Sequence, residues 1–160
     1  MAPTARRDPI LVVEDSPQDV ALLRRAFEKA EVLSPLLSVS SGDEAIAFLS
    51  GDPALTDRSK GQEYPQLVLL DLKLPGKTGH EVLEWIRTTP GITRLPVIVL
   101  TTSNEESDVA RAYELGANSY LVKPATFQEL RHMVEAVWRY WMILNTPPPN
   151  IEPDYVGGAR

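Results

Sequence analysis

Gln66-Leu67-Val68-Leu69-Leu70-Asp71-Leu72-Lys73-Leu74-Pro75-Gly76-Lys77-Thr78-Gly79 is the stretch on which the reading of this chain turns. An apolar run of strand length delivers a carboxylate, Asp71, straight into a loop rich in glycine and proline. Open α/β sheets present their sites outside the carboxyl ends of strands, so a carboxylate placed there is a candidate chemical centre. Three more strand-like runs end in the same manner. Ile10-Leu11-Val12-Val13 runs into Glu14-Asp15, Val97-Ile98-Val99-Leu100 into Thr101-Thr102, and Tyr120-Leu121-Val122 into Lys123-Pro124. Acids, hydroxyls and one amine therefore gather at one edge of the expected sheet.

Strand-length apolar runs alternate with stretches of helical period. That pattern predicts an α/β fold with five β-α units and a parallel sheet buried on both faces. Helix starts are signalled by Ser or Thr followed three residues later by an acid, in Ser16-Pro17-Gln18-Asp19, Ser41-Gly42-Asp43-Glu44, Thr78-Gly79-His80-Glu81, Ser103-Asn104-Glu105-Glu106 and Thr126-Phe127-Gln128-Glu129. A hydroxyl at the N-cap accepts from an otherwise unpaired backbone N–H, and an acid three residues on can return the bond. Gly51 and Gly116 are expected to stop the second and fourth helices in the left-handed conformation. Gly51 to Pro65 reads as a long surface loop, and the Pro-rich tail from Asn145 to Arg160 as an extended or disordered, solvated end. The expected organisation is a short extension over 1–8, one domain over 9–144, and the tail over 145–160.

Bulk composition narrows the function classes. A chain of 160 residues with 43% hydrophobic and 24% charged content suits one ordinary globular domain. A net charge of −6, with basic residues in no run longer than Arg6-Arg7 or Arg24-Arg25, disfavours nucleic acid or an anionic membrane as partner. The absence of cysteine removes disulfides and thiolate metal sites. No apolar stretch is long enough to span a bilayer, so the expected location is the cytoplasm.

The chemistry follows from the edge. If Asp71 arrives beside Glu14 and Asp15, three carboxylates share a small volume and repel one another unless a cation intervenes. Hard oxygen ligands of this kind suit Mg²⁺, which commonly takes one or two carboxylates plus phosphate oxygens. Carboxylates also form aspartyl-phosphates when the phosphoryl donor is positioned and its charge neutralised. Mg²⁺, the Lys123 ammonium and the Thr101 hydroxyl could serve the three equatorial oxygens of a transferring phosphoryl group. Taken singly, each residue has an ordinary explanation: a helix cap, a solvated lysine, a β-branched strand residue. Their joint placement argues for a site.

The four strand-end segments, Val12-Val13-Glu14-Asp15, Leu69-Leu70-Asp71-Leu72-Lys73-Leu74-Pro75-Gly76, Val99-Leu100-Thr101-Thr102 and Tyr120-Leu121-Val122-Lys123-Pro124, closely resemble the receiver domain of two-component response regulators. The resemblance implies a flavodoxin-like (βα)5 fold with strand order 2-1-3-4-5. It implies that Asp71 accepts a phosphoryl group from a histidine kinase, with Mg²⁺ held by Glu14, Asp15, Asp71 and the backbone carbonyl of Lys73. Thr101, Thr102 and Lys123 are the implied phosphate-binding set, Thr101 and Tyr120 the implied switch pair. The Lys123-Pro124 bond is implied to be cis. Such a protein is a phosphoacceptor in signalling rather than an enzyme with turnover. Leu100-Thr101-Thr102-Ser103-Asn104, Ala117-Asn118-Ser119-Tyr120 and Trp138-Arg139-Tyr140-Trp141 are similar, further, to single-domain regulators serving phytochrome-type light-sensing kinases.

The last helix, read from Phe127 to about Leu144, carries an apolar stripe of Phe127, Leu130, Val134, Val137, Trp138 and Trp141, widened by Met133, Tyr140 and Leu144. The extra width predicts a homodimer through the face made by the fourth helix, fifth strand and fifth helix. With only the Pro-rich segment after that helix, the expected output is contact with another protein. Two other readings are open to such a sequence. A haloacid-dehalogenase-type hydrolase would need a second acid two positions after Asp71, where Lys73 stands. A phosphorylation-independent interaction module would tolerate a broken acid cluster, whereas here the cluster is intact.

Overall fold

The computed structural model describes residues 7–56 and 61–154. Most of the 1–8 extension, the middle of the loop after the second helix, and the last six residues of the tail lie outside the described residues. The chain order is β1 (Ile10–Val13), α1 (Pro17–Lys29), β2 (Leu36–Val39), α2 (Gly42–Leu49), β3 (Leu67–Leu70), α3 (Gly79–Thr88), β4 (Val97–Thr101), α4 (Glu106–Glu114), β5 (Ser119–Val122) and α5 (Phe127–Trp138). All strand pairs are parallel, in the order β2-β1-β3-β4-β5 expected from the sequence. Among the described residues no helix is long and apolar enough to cross a membrane.

Alternation along the strands divides the interior into two layers, because successive side chains point to opposite faces. Leu11, Val13, Val68, Leu70, Val97 and Val99 face α2 and α3 in one core cluster. Ile10, Val12, Leu67, Leu69, Ile98 and Leu100 face α1 and α5 in the other. The central strands β1, β3 and β4 are buried along their whole length, as parallel strands covered on both faces must be.

Four of the five expected caps form. Ser16, Ser41, Thr78 and Thr126 accept from the backbone N–H three residues on, and Thr78 with Glu81 completes a reciprocal box. The fourth differs: α4 starts after Glu105, which makes no side-chain cap bond. The Ser103 hydroxyl instead donates to the Asp108 carboxylate at 2.6 Å, and accepts from the Glu105 N–H at 3.3 Å. Gly51 and Gly116 take positive φ, as expected of left-handed helix stops.

Two regions depart further from the sequence reading. The final helix is α-helical only to Trp138, and Arg139–Leu144 continues as a π-helix, closed by a bond from the Asn145 N–H to the Tyr140 carbonyl at 2.7 Å. Met142 of this segment is buried in the core layer that also holds α1 and α5 residues, while Tyr140 and Leu144 stay exposed. The tail is irregular, as expected, but its described part is not a solvated end. It crosses the amino edge of the sheet and inserts Ile151, 3% exposed, into the α2–α3 layer. There the Asp154 N–H donates to the Pro90 carbonyl at 3.1 Å. Gly91, at φ +87, lies against the Glu152 carbonyl where any Cβ would collide with the tail. The loop before β3 is anchored likewise, by the buried Tyr64 hydroxyl donating to the Leu49 carbonyl at 2.9 Å.

Candidate functional site

Backbone ladders continue past the strand ends and pin the residues that follow them. Glu14 N–H bonds the Val39 carbonyl, Asp71 N–H the Val13 carbonyl, and Lys123 N–H the Thr101 carbonyl, at 3.0, 3.0 and 2.7 Å. In-register parallel strands thereby bring side chains scattered through the sequence to one hollow at the carboxyl edge. Gly79 permits the tight return of the following loop: its N–H bonds the Leu72 carbonyl at 2.9 Å, and a Cβ there would strike the Asp71 carbonyl.

Glu14 and Asp71 are buried in that hollow while Asp15 is exposed at its mouth, and one carboxylate oxygen from each lies within 4.8 Å of the others. Lys123 reaches in from the end of β5. Its ammonium donates to Glu14 Oε2 at 2.5 Å, Asp71 Oδ2 at 2.8 Å and Asp19 Oδ2 at 2.9 Å. Thr101 is fully buried at the end of β4 and bonds the Asp71 carboxylate. The backbone N–H of Lys73 donates to Asp71 Oδ1 at 3.3 Å, and the Lys73 and Thr102 side chains stand exposed around the opening. The Lys123-Pro124 bond is trans, correcting the cis expectation, since the described residues contain no cis peptide; trans is the default for an X-Pro bond.

The charges in the hollow are uneven. Burial, then the hydrogen bond with Asp71, pushes the Glu14 carboxyl up to about 7. Burial would raise Asp71 too, but hydrogen bonds from Glu14 and Lys123, with the Lys123 charge, hold it below 3.8. Below about pH 7 the opposite shifts favour a proton on Glu14 rather than on Asp71. Burial alone would lower the Lys123 ammonium, but its bonds to Asp71, Glu14 and Asp19 raise it, so it stays cationic. One ammonium against four nearby carboxylates leaves an acidic hollow with a surplus of oxygen ligands. Glu14, Asp15 and Asp71 therefore fit a hard divalent cation by donor type and by spacing.

Beside the hollow, the half-buried Tyr120 packs against the core and donates its hydroxyl to the Ser103 carbonyl at 2.9 Å. The Ser103–Asp108 bond carries this contact onward to α4, so the β4–α4 loop, β5 and α4 are joined at one point. Asp19 and the Ser103–Asp108 pair escaped the sequence reading. An acid at the third position of a helix that begins just after the β1 acids is the available signal for Asp19, but from sequence it reads as a cap.

The geometry agrees with what comparison with known proteins finds. Residues 10–135 match the family model described as the response regulator receiver domain. Response regulator Rcp1 of Synechocystis sp. is 38% identical over 139 residues, spanning 87% of this chain and 92% of its own length. The probable methanogenesis regulatory protein FilR2 of Methanothrix harundinacea is also 38% identical, over 87% of this chain and 86% of its own length. The phosphorylated cyanobacterial phytochrome response regulator RcpA superposes with a TM-score of 0.78 at 34% identity, covering 89% of this chain and 99% of that one. Rcp1 also has a Mn²⁺-bound crystal form, to which this fold is similar with a TM-score of 0.74 at 38% identity, covering 88% of this chain and 99% of that one. By motif, topology and kinship this chain is a member of the response regulator receiver family of two-component signalling, homologous to regulators of phytochrome signalling.

Proposed function

We propose that the chain is a phospho-switch in which Asp71 takes a phosphoryl group from the phosphohistidine of a histidine kinase. The observation that carries this reading is the buried Asp71 carboxylate, 2.8 Å from the Lys123 ammonium in a hollow of three convergent acids. An Asp71 oxygen bonds phosphorus as the P–N bond of the donor breaks and its imidazole leaves with the electron pair. In this reading Lys123 and Thr101 meet two of the equatorial oxygens and Thr102 stands at the opening, a reading supported by the contacts of Lys123 and Thr101 with Asp71. Mg²⁺ is the proposed ion, held by Glu14, Asp15, Asp71 and the Lys73 carbonyl, and when bound it neutralises charge on the transferring group. Intact-mass measurement after incubation with acetyl phosphate and Mg²⁺ should find one added phosphate on the wild type and none on Asp71→Asn. Equal labelling of both defeats the assignment.

The switch proposed is Thr101 with Tyr120, coupled to α4 through Ser103 and Asp108. The output proposed is contact with proteins rather than nucleic acid. Kinship with Rcp1 and RcpA supports a phytochrome-type photoreceptor kinase as the donor. A homodimer through the α4–β5–α5 face is supported by the exposed Tyr113 of α4 and Val122 of β5. Light scattering at tens of micromolar should find that dimer, and a monomer both with and without phosphoryl donor counts against it.

A further inference from the structure

Three carboxylates occupy the three N–H donors of Lys123, and one of them has no place in the phosphoryl hollow. Glu14 and Asp71 belong to the set that fits a divalent cation; Asp19 does not. It stands in the first turn of α1, its side chain 37% exposed, on the rim of a groove lined by Leu22, Leu23, Leu100, Pro124 and Leu130. At that helix position a carboxylate ordinarily turns back to the N-cap N–H. Here the Ser16 N–H is taken by Glu14 Oε1 at 3.1 Å, so the Asp19 side chain is released from capping and reaches the amine of β5 instead.

We propose that Asp19 is a positioning residue that holds the Lys123 ammonium outward and so slows phosphoryl capture by Asp71. The inference rests on the reading of Asp71 as phosphoacceptor. A phosphoryl group brings oxygens that need the same donors Lys123 already spends on carboxylates. Glu14 and Asp71 face the incoming group and move with its chemistry. Asp19 faces the groove and takes one of the three donors of the amine. Neutralising it frees that donor to turn inward while leaving the Ser16 cap in place, because the cap takes the backbone N–H of Asp19 and not its side chain.

The test is the rate at which acetyl phosphate labels Asp71 in the presence of Mg²⁺. Asp71 oxygen bonds phosphorus, the P–O bond to acetate breaks, and acetate leaves with the electron pair. Asp19→Asn should label about three- to fivefold faster than wild type, the size expected of one partly screened charge near the site. Asp19→Glu, which restores the charge, should return the rate toward wild type. In a Lys123→Gln background, followed over hours by intact mass, Asp19→Asn should change the rate by less than about twofold, because its effect passes through the amine. An Asp19→Asn rate within about twofold of wild type overturns the proposal. So does equal acceleration by Asn and Glu, which would report shape, or an undiminished effect without the lysine, which would report general repulsion of an anionic donor. A wild-type chain that takes no label overturns this inference together with the phosphoacceptor reading; a labelled wild type with an unresponsive Asp19 overturns this one alone.

Discussion

The two edges of the same sheet are closed by opposite means. At the carboxyl edge, buried Glu14, Asp71 and Thr101 meet one ammonium, and nearly every contact involves a formal charge. At the amino edge, Tyr64, Ile92, Leu95 and Ile151 close an apolar layer, and a cation there, Arg87, bonds neutral oxygens among the described residues. Its guanidinium reaches the carbonyls of Gly116, Thr93 and Leu95 and the side-chain oxygen of Asn118 at 2.7 to 3.1 Å. Charges facing charges can be redistributed by a proton, an ion or a phosphoryl group; a cation held by carbonyls cannot. The carboxyl edge is therefore built to respond and the amino edge to hold.

The largest expected effect breaks the holding edge. Arg87 ties the C-terminal end of α3 to the approach to β4 and to the turn before β5. Asn118, one of its partners, also accepts from the Val97 N–H at 2.8 Å. Arg87→Ala strands several partly buried acceptors at once, at about 1 to 3 kcal/mol for each one that water cannot reach. A loss of about 3 kcal/mol in urea unfolding is expected, of similar size at about pH 5 and at about pH 7.5, since none of its hydrogen-bond partners among the described residues is an acid. Loss below about 1 kcal/mol, or a strong pH dependence of that loss, would erase the contrast between the edges.

The same contrast explains what could be read from the sequence. Strand order and the convergence of Glu14, Asp71, Thr101 and Lys123 were legible because parallel strands put their carboxyl ends together, whatever the details of the loops. Helix starts were legible where the Ser or Thr hydroxyl accepts from the N–H three residues on. Ser103 accepts instead from the Glu105 N–H two residues on, and the helix begins two residues late. Asp19 was hidden for a related reason. An acid at that turn has two possible partners, and only the fold shows that Glu14 takes the cap and leaves Asp19 for Lys123. The tail was illegible because its prolines correctly forbid a helix but say nothing about where a single isoleucine lodges. Nor does apolar periodicity distinguish α from π winding over six residues, so the last turns of the final helix were misjudged.

The smaller effect sharpens the responsive edge, and its sign follows from the proton held on Glu14. In the folded chain burial and the Asp71 bond lift this carboxyl from 4.5 to about 7. Between those values the folded state keeps a proton that the unfolded state has released. That proton's stabilising contribution is whole below about pH 4.5 and is lost as pH rises toward 7, by at most about 1.4 kcal/mol per pH unit. Asp71 is shifted the other way, below 3.8, so its own contribution is complete above that value and adds no slope in the window. Without divalent cation, stability relative to Glu14→Gln should fall by about 1 to 2 kcal/mol between about pH 5 and pH 7.5, as read from urea midpoints at each pH. A Gln variant with the same slope as wild type would place the proton elsewhere in the hollow. The slope should also shrink when Mg²⁺ is added at the upper end of the window, because a bound cation favours the ionised carboxylate and offsets the cost of its burial. Arg87→Ala, whose lesion lies among neutral acceptors, should keep the wild-type slope even as it lowers the whole curve, and that separation of level from slope is what makes the two edges independent.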